Sequence, residues 1–404
     1  MISKLLAKFS LVQTVTWIIP IVVSVFSSAY SNSEQWNSIV LGQLVGSIFA
    51  IIIMGGWGLR GPALLMNRAG SGEGIFLESL FQRCLSLLFL TPFLIFSGLL
   101  FSRSTDLLIY SISSVSYALL GCSPRWYYSA TSQISRLFLI EIAPRMVSSL
   151  IAVIYLLWTG ELTGFVTLVL LGQVLPVLLS VSKLEQLKTA IRQYSLKRYW
   201  SSCMDAGTLT FADALGSLYF ASPLILGSFF LTLEQNAQLS SVWKVYAVAL
   251  AFVAILTNTT QSAVITNADI ERRSILGKSL ALSFFLGFGG AAGLAMLGNQ
   301  AASLLFSRHS PDSVIIFSVI AASFFSVTIS THYLRHSILF HLKFNKVLLA
   351  NTLGFLVATI SGSVLIVLKL LSVDSVALPY ALAEVSVCIF VLVAASKIER
   401  QNTN

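Results

Sequence analysis

Long apolar runs separated by short polar segments dominate the pattern of this chain. The runs are unbroken stretches of about 17–25 residues, without the strict alternation of apolar and polar positions that marks membrane strands. A helix needs about 20 apolar residues to cross the hydrocarbon core, and it satisfies its own backbone hydrogen bonds there, so the runs predict transmembrane helices rather than a barrel. Twelve are predicted: Phe9–Ser27, Ile39–Met54, Leu80–Phe101, Leu107–Gly121, Leu137–Trp158, Gly164–Ser180, Cys203–Leu231, Leu239–Asn258, Lys278–Leu297, Ser313–Ser330, Val347–Leu371 and Val376–Ala395.

One long polar and basic interruption, Val181–Trp200, divides the runs into two sets of six. It carries five Lys and Arg residues against a single acid, Glu185. We interpret it as a cytoplasmic linker at 181–202, between an N-terminal six-helix bundle at 1–180 and a C-terminal six-helix bundle at 203–404. The pair Glu34-Gln35 before the second helix matches Glu234-Gln235 before the eighth, a similarity too short to establish a repeat.

Composition supports an integral membrane protein. Of the 404 residues, 56% are hydrophobic and 10% are charged, whereas soluble proteins carry about 25% charged residues. With a cytoplasmic N-terminus, all but four of the 25 Lys and Arg residues fall on the inner side; Arg103, Arg308 and Lys369 fall outside, and Lys244 lies within a helix. This asymmetry predicts that both termini are cytoplasmic. The start of the chain could also be a signal peptide, but we interpret it as a retained first helix.

Several chemical functions are disfavoured by the sequence. The four cysteines form no CxxC pair, which argues against a metal site or a disulfide framework. No GxxxxGK or GxSxG motif is present, so neither direct ATP use nor an esterase-like nucleophile is expected. The longest outer loop, Gly298–Asp312, is too short for a large extracellular active site. We therefore expect no enzyme activity and no cofactor, and the net charge of +9 belongs mostly to the cytoplasmic face rather than to a nucleic-acid site.

Carboxyl groups inside the predicted spans are candidates for ion coupling, because charged groups at membrane depth usually face a cavity or a partner. Asp205 and Asp213 lie eight residues apart on the seventh helix, and so on nearly one face, and Glu384 lies within the twelfth. The alternative for Asp205 is a position at the membrane interface next to the linker.

Three cations are candidates for binding an anionic headgroup: Arg60, Arg145 and Lys244. Arg145 follows Pro144 in a first-turn position where backbone N–H groups also favour anions. The alternatives are that the arginines obey the positive-inside bias and that Lys244 snorkels to the interface. His332 and His336 could hold a metal at i and i+4, but no third ligand is evident, so a solvated or lipid-contacting face is predicted.

Two stretches resemble the polysaccharide and O-antigen flippases. Ser123–Trp158 reads SPRWYYSATSQISRLFLIEIAPRMVSSLIAVIYLLW, with a proline before an aromatic cluster and a Pro-Arg pair at the start of the fifth helix. Glu34–Met66, with its GGWGLRGPALL segment, is similar to the same family's second helix. The resemblance implies the multidrug/oligosaccharidyl-lipid/polysaccharide exporter superfamily, with a MATE-like fold of two six-helix bundles.

The resemblance also implies a function. The substrate would be an oligosaccharide linked through pyrophosphate to a polyprenol, moved from the cytoplasmic to the outer leaflet by alternating access and coupled to a proton or sodium ion. Membrane lipids and polysaccharide-assembly enzymes would be the partners. Two alternatives stay open: a multidrug exporter of the same superfamily, and a polytopic polysaccharide polymerase or ligase.

Overall fold

A computed structural model describes residues 2–58, 61, 65, 72–101, 105–131, 133–182, 196–266, 269–311, 313–338 and 343–403. In these ranges the chain forms helices joined by short turns, without any strand. Most of the predicted linker 181–202 lies outside the described residues. The predicted domain bounds 1–180, 181–202 and 203–404 therefore stay a prediction.

Fourteen α-helices are present in the described ranges, in this order: α1 Ile2–Tyr30, α2 Ser33–Met54, α3 Gly72–Leu100, α4 Leu107–Ala118, α5 Arg125–Ala130, α6 Ile134–Leu137, α7 Ala143–Thr159, α8 Leu162–Ser182, α9 Leu196–Phe230, α10 Leu233–Thr266, α11 Asp269–Leu305, α12 Ile315–Tyr333, α13 Phe344–Val367 and α14 Leu378–Thr403. A 3-10 turn, Leu119–Cys122, separates α4 from α5. A π-helical turn, Phe138–Ile142, joins α6 to α7, and another, Leu334–Ile338, extends α12.

Eleven helical segments in the described ranges are long and apolar enough to cross a membrane, and a twelfth, shorter apolar segment is Thr14–Tyr30 of α1. The prediction of an all-helical, multi-pass membrane fold is confirmed. Several helices run beyond their predicted ends: α11 spans Asp269–Leu305 rather than Lys278–Leu297. Hydropathy marks only the part in the hydrocarbon core, whereas backbone hydrogen bonding continues into the polar flanks.

The described chain separates into two compact units. The N-terminal unit is Ile18–Ala214, and the C-terminal unit is Leu215–Asn404 together with Met1–Trp17. Within the N-terminal unit the most extensively packed pairs of spanning helices in the described ranges are α2–α3, α2–α4, α3–α4, α4–α8 and α7–α8. Within the C-terminal unit they are α10–α11, α10–α12, α11–α12, α12–α14 and α13–α14. When the spans of each half are numbered one to six, the two sets are the same five pairs, so both units have one packing topology.

The opening hairpin of each half repeats at an offset of 200 residues. α1 ends at Tyr30 and α9 at Phe230, and the next helices begin at Ser33 and Leu233. Both of these helices begin with a capping box, in which two residues three apart exchange side-chain to backbone hydrogen bonds. In the first, Asn32 Oδ1 accepts from the Gln35 N–H at 2.8 Å and Gln35 Oε1 accepts from the Asn32 N–H at 3.2 Å. Thr232 and Gln235 make the same exchange at 3.3 and 3.1 Å.

The second and fourth spans meet differently in the two units. In the N-terminal unit, Gly42 and Gly46 of α2 face the backbone of α4: a Cβ at Gly42 would lie 2.7 Å from the Tyr110 carbonyl oxygen, and one at Gly46 would overlap that of Ser114. In the C-terminal unit the position 200 residues after Gly46 is Tyr246, whose ring packs on Phe324 of α12 at 6.3 Å. Glycines thus bring one pair of helices into backbone contact, while a ring separates the other pair.

Candidate functional site

A buried carboxyl group lies in the C-terminal unit. Glu384, in the second turn of α14, is 6% exposed, and the hydroxyls of Tyr380 and Tyr219 lie near its carboxyl group. The Tyr246 hydroxyl lies 2.9 Å from that of Tyr380, and the Ser323 hydroxyl donates to Tyr246 at 3.3 Å. We call these five residues, Tyr219, Tyr246, Ser323, Tyr380 and Glu384, the tyrosine–Glu384 site. It joins the first, second, fourth and sixth spans of this half.

Aromatic rings surround the tyrosine–Glu384 site. Phe220 and Trp243 pack edge-to-face against Tyr380, with ring centroids 5.7 and 5.2 Å from its own, and the ring centroid of Trp243 lies 5.4 Å from that of Tyr246. No described cation forms an ion pair with Glu384. A carboxyl group among apolar rings and hydroxyl donors can bind a proton, or when ionised a small cation, and so change its charge inside the membrane.

The corresponding four spans of the N-terminal unit enclose a cavity instead. The cavity is small, about 10 Å³, and holds at most one bound water. Ser116 Oγ is buried without a hydrogen-bond partner, so its bonding capacity is open to such a water. The lining residues are Val23, Ile39, Gln43, Ser113, Ser116, Tyr117, Phe165, Val166 and Val169. This lining contains polar groups but no carboxyl group.

The buried carboxylate of the N-terminal unit is Glu141, and it is fully ion-paired. Glu141 Oε1 lies 2.7 Å from Arg145 Nη1 and 2.8 Å from Arg125 Nη2, and Glu141 Oε2 accepts from the Ser123 hydroxyl at 2.8 Å. Glu141 is fully buried and Arg145 is 7% exposed. The π-helical turn carries Glu141, and Pro144 begins α7 so that Arg145 follows one turn later. This charge cluster holds the ends of the fourth and fifth spans together.

A second arginine of the N-terminal unit is fixed by carbonyl groups. Arg83, fully buried on α3, donates from Nη1 to the Ser123 carbonyl at 2.6 Å and from Nε to the Ser79 carbonyl at 3.1 Å. It thereby satisfies backbone carbonyls freed where α4 breaks into a 3-10 turn. Both Arg83 and Arg145 are therefore bonded within the bundle.

The aromatic residues of the Ser123–Trp158 motif form a packed cluster. Trp126 stacks on Trp57 at 5.6 Å, and Tyr127 stacks on Phe76 at 4.6 Å. All four rings are buried. The motif that resembles the flippases therefore builds the folded core of this unit at the junction of the fourth and fifth spans.

The structure brings only part of the predicted set together. Glu384 lies in the tyrosine–Glu384 site, Arg145 lies in the charge cluster, and Asp213 and Lys244 are half-buried on α9 and α10. Arg60 lies outside the described residues, as does the side chain of Asp205. The proposed roles of all six in binding or coupling stay predictions.

The predicted solvated histidine face is wrong. His332 and His336 are each 4% exposed, with rings 4.8 Å apart. Ser279 lies 3.3 Å from His332 Nδ1, and Thr260 lies 3.1 Å from His336 Nε2. The π-helical turn extends the tenth span beyond its predicted end and carries His336 into the packed bundle.

Sequence reasoning missed Glu141, Tyr246 and Tyr380. Two signals were available: Glu141 precedes Arg145 by four residues, and Tyr380 precedes Glu384 by four, the spacing at which helical side chains meet. Nothing in the local sequence indicates Arg125 as a partner, because it reaches Glu141 only through the break between α4 and α7.

Solved structures that share this fold are transporters. An inward-facing multidrug resistance MATE family transporter of the MOP superfamily superposes with a TM-score of 0.71 and 13% identity over 96% of each chain. An outward-facing one gives 0.62 and 12% over 99% of this chain and 95% of that one. A MOP superfamily transporter from Pyrococcus furiosus, for which a reversed polarity of the binding pocket suggests a different function, gives 0.62 and 12% over 98% and 95%.

The chain therefore has the fold of MATE transporters. No protein-family model matches it, and no curated protein matches its sequence.

Proposed function

We propose that this protein is a flippase that moves a polyprenyl-pyrophosphate-linked oligosaccharide from the cytoplasmic to the outer leaflet for surface polysaccharide synthesis. The observation that carries the proposal is the transporter fold over nearly the whole chain, combined with the flippase-like motif at Ser123–Trp158. Solved transporters of this fold have inward-facing and outward-facing conformations, which supports alternating access here.

The headgroup role is assigned first to Lys244. Lys244 is half-buried in the middle of a spanning helix, where a cation can meet a pyrophosphate away from bulk water. Arg145 is the weaker candidate, because its guanidinium is buried and paired with Glu141. Arg60 follows the second span and remains a candidate at the cytoplasmic end. The lipid tail needs no polar site, since it can stay in the bilayer.

Ion coupling is assigned to Glu384. Its carboxyl group is buried, lies beside tyrosine hydroxyls and forms no ion pair with a described cation. A cycle in which Glu384 takes up and releases a proton would link a proton gradient to a change in the packing of α14. Asp213 and Asp205 are the secondary candidates, on α9.

The orientation follows from the charge asymmetry, because the excess of Lys and Arg on one side supports a cytoplasmic position of both termini. The resemblance to the flippases favours a bacterial inner membrane. In this orientation the substrate would enter from the cytoplasmic leaflet, where the oligosaccharide headgroup would be assembled on the polyprenol. Membrane lipids and polysaccharide-assembly enzymes are the expected partners.

Export of organic cations is the second candidate function. It is favoured by the multidrug transporters among the structures of the same fold. The buried carboxyl group in an aromatic surrounding would suit a cationic drug as well as a proton. A polymerase or ligase is disfavoured by the relationship in fold to transporters and by the short outer loops.

Transport into proteoliposomes tests both functions. Vesicles containing the purified protein and a fluorescent polyprenyl-pyrophosphate oligosaccharide are probed with a membrane-impermeant glycosidase, and ethidium efflux is measured in parallel vesicles. The flippase proposal expects accelerated exposure of the sugar and no ethidium transport. Ethidium transport with unchanged sugar exposure would replace it with the exporter function.

A further inference from the structure

The beginning of α9 is bonded to α3 by weak polar contacts. The Tyr199 hydroxyl lies 3.1 Å from that of Ser86, and one turn further along α9 the Gln82 amide donates from Nε2 to Cys203 Sγ at 3.5 Å. Tyr199, Gln82 and Ser86 are buried, and Cys203 is half-buried. We call these four residues the α9–α3 contact.

The turn after α2 packs against both helices of the α9–α3 contact and orients Gln82. The Trp57 indole donates to Gln82 Oε1 at 2.8 Å, which leaves the Gln82 amino group facing Cys203. Gly56, in the left-handed region at φ 70°, lets this turn approach α9: a Cβ there would lie 3.4 Å from Ala206 Cβ. Both sides of the contact belong to the N-terminal unit.

The helix that makes this contact does not belong to one unit alone. α9 is a continuous helix of 35 residues, and its residues up to Ala214 pack with the N-terminal unit while those from Leu215 pack with the C-terminal unit. Alternating access requires the two units to move. When they do, either the α9–α3 contact must open or α9 must bend.

The chemistry of the contact favours opening. A thiol is a weak acceptor and a hydroxyl pair is a neutral hydrogen bond, so neither resists separation strongly. The neighbouring Arg83 on the same helix α3 contrasts with this, because its charged guanidinium makes four hydrogen bonds to residues of α3 and of the segment after α4. Charge-assisted hydrogen bonds are the stronger class. We therefore expect the hydrogen bonds of Arg83 to persist through the cycle and those of Gln82 and Ser86 to α9 to break more easily.

We propose that the α9–α3 contact is a latch that opens and closes once in each transport cycle, with Gln82, Ser86, Tyr199 and Cys203 as its positioning residues. This proposal rests on the proposed transport function and deepens it. The closed latch holds the first turns of α9 against α3, and release frees them to move with the C-terminal unit.

Reversible cross-linking at the native Cys203 tests the latch. Gln82→Cys is introduced with Cys84, Cys122 and Cys388 replaced by alanine, and a short bis-methanethiosulfonate joins Cys203 to the new thiol. The latch predicts at least a tenfold loss of sugar exposure in proteoliposomes on cross-linking, and recovery after a reductant cleaves the bridge. Cross-linked protein that transports at the rate of its reduced form would overturn the proposal and assign α9 a bending role.

Two controls isolate the bridge itself. Gln82→Cys combined with Cys203→Ser takes up the reagent but cannot form the bridge, so its transport rate, whatever its value, should be the same with and without reductant. Ser303→Cys with Ser310→Cys places a second bridge between hydroxyl positions 2.7 Å apart at one end of α11, and its cross-linking should leave transport unchanged.

A second measurement separates failure of the latch from failure of the substrate assignment. The alkylation rate of Cys203 by a maleimide reports opening without any substrate. Tyr199→Phe removes the hydroxyl pair and should raise this rate on the order of fivefold, the effect of one net hydrogen bond; Tyr155→Phe, remote on α7, should leave it unchanged. An unchanged rate in Tyr199→Phe refutes the latch even if the vesicles transport no sugar.

Discussion

The two units have the same helix pairs, but the polar groups in their interiors differ. In the N-terminal unit, glycines bring α2 onto α4 and a small neutral cavity lies among the first, second, fourth and sixth spans. In the C-terminal unit, Tyr246 occupies the position that matches Gly46, and the same four spans hold Glu384 among tyrosines. One packing topology therefore supports a close-packed interior in one half and a titratable one in the other.

The buried carboxylates make the same distinction. Glu141 is compensated by two arginines and a serine at the end of the helices, whereas Glu384 lies beside tyrosine hydroxyls and forms no ion pair with a described cation. Protonation of an ion-paired carboxylate such as Glu141 is unfavourable, because it would leave the two arginines without their anion. We infer that Glu141 stabilises its unit and that Glu384 is free to take part in a cycle.

Replacing Glu141 should produce the largest effect. Glu141→Gln leaves Arg145 buried without its anion, and breaking one partner of a buried pair typically costs about 3–5 kcal/mol. We expect a clearly lower Tm in detergent and less folded protein in the membrane. Glu141→Gln with Arg145→Gln should recover part of the loss. A single variant as stable as the parent would remove the contrast between the two carboxyl groups.

Glu384 should respond in the opposite way. Glu384→Gln keeps the shape and hydrogen bonding of the side chain but cannot lose a proton, so we expect a normal Tm and at least a tenfold loss of transport driven by a proton gradient. Proton-independent exchange of substrate should survive. Gradient-driven transport at the parent rate would exclude Glu384 as the coupling group.

The glycine contact sharpens the comparison at a smaller scale. Gly46→Ala places a methyl group on the Ser114 carbonyl, and overpacking of this kind typically costs about 1–3 kcal/mol. Gly293→Ala, on α11, is the matched control because nothing lies within 4 Å of its added Cβ. Unfolding in detergent should separate the two variants; equal stability would mean that α2 and α4 can move apart freely.

The cavity should give the smallest effect. Ser116→Ala removes a hydroxyl that has no protein partner, so we expect a change in unfolding free energy within about 1 kcal/mol and normal transport. A large loss of transport would instead indicate that the neutral cavity of the N-terminal unit takes part in the cycle.

Hydrophobic patterning was sufficient for the helix count and the membrane class, because each run of apolar residues reports directly on its own span. It also indicated Glu384, since one acid in a long apolar segment stands out. It did not predict the surroundings of Arg145, a headgroup candidate whose guanidinium lies against Glu141. The second partner of Glu141, Arg125, comes from a segment where the helix breaks, and the hydrophobic pattern does not predict how the chain turns there. The burial of His336 was missed for a related reason, because the π-helical turn after Tyr333 prolongs a span whose apolar signal has ended.

The π-helical turn at Phe138–Ile142 determines how the segment before it is rotated about the helix axis relative to α7. Each residue of an α-helix turns the chain by about 100°, so deleting one residue here would rotate the segment that carries Arg125 and the aromatic cluster by roughly that angle relative to α7. Insertions and deletions should therefore be tolerated in the outer loops but not in this short stretch, whose length is as constrained as its chemistry.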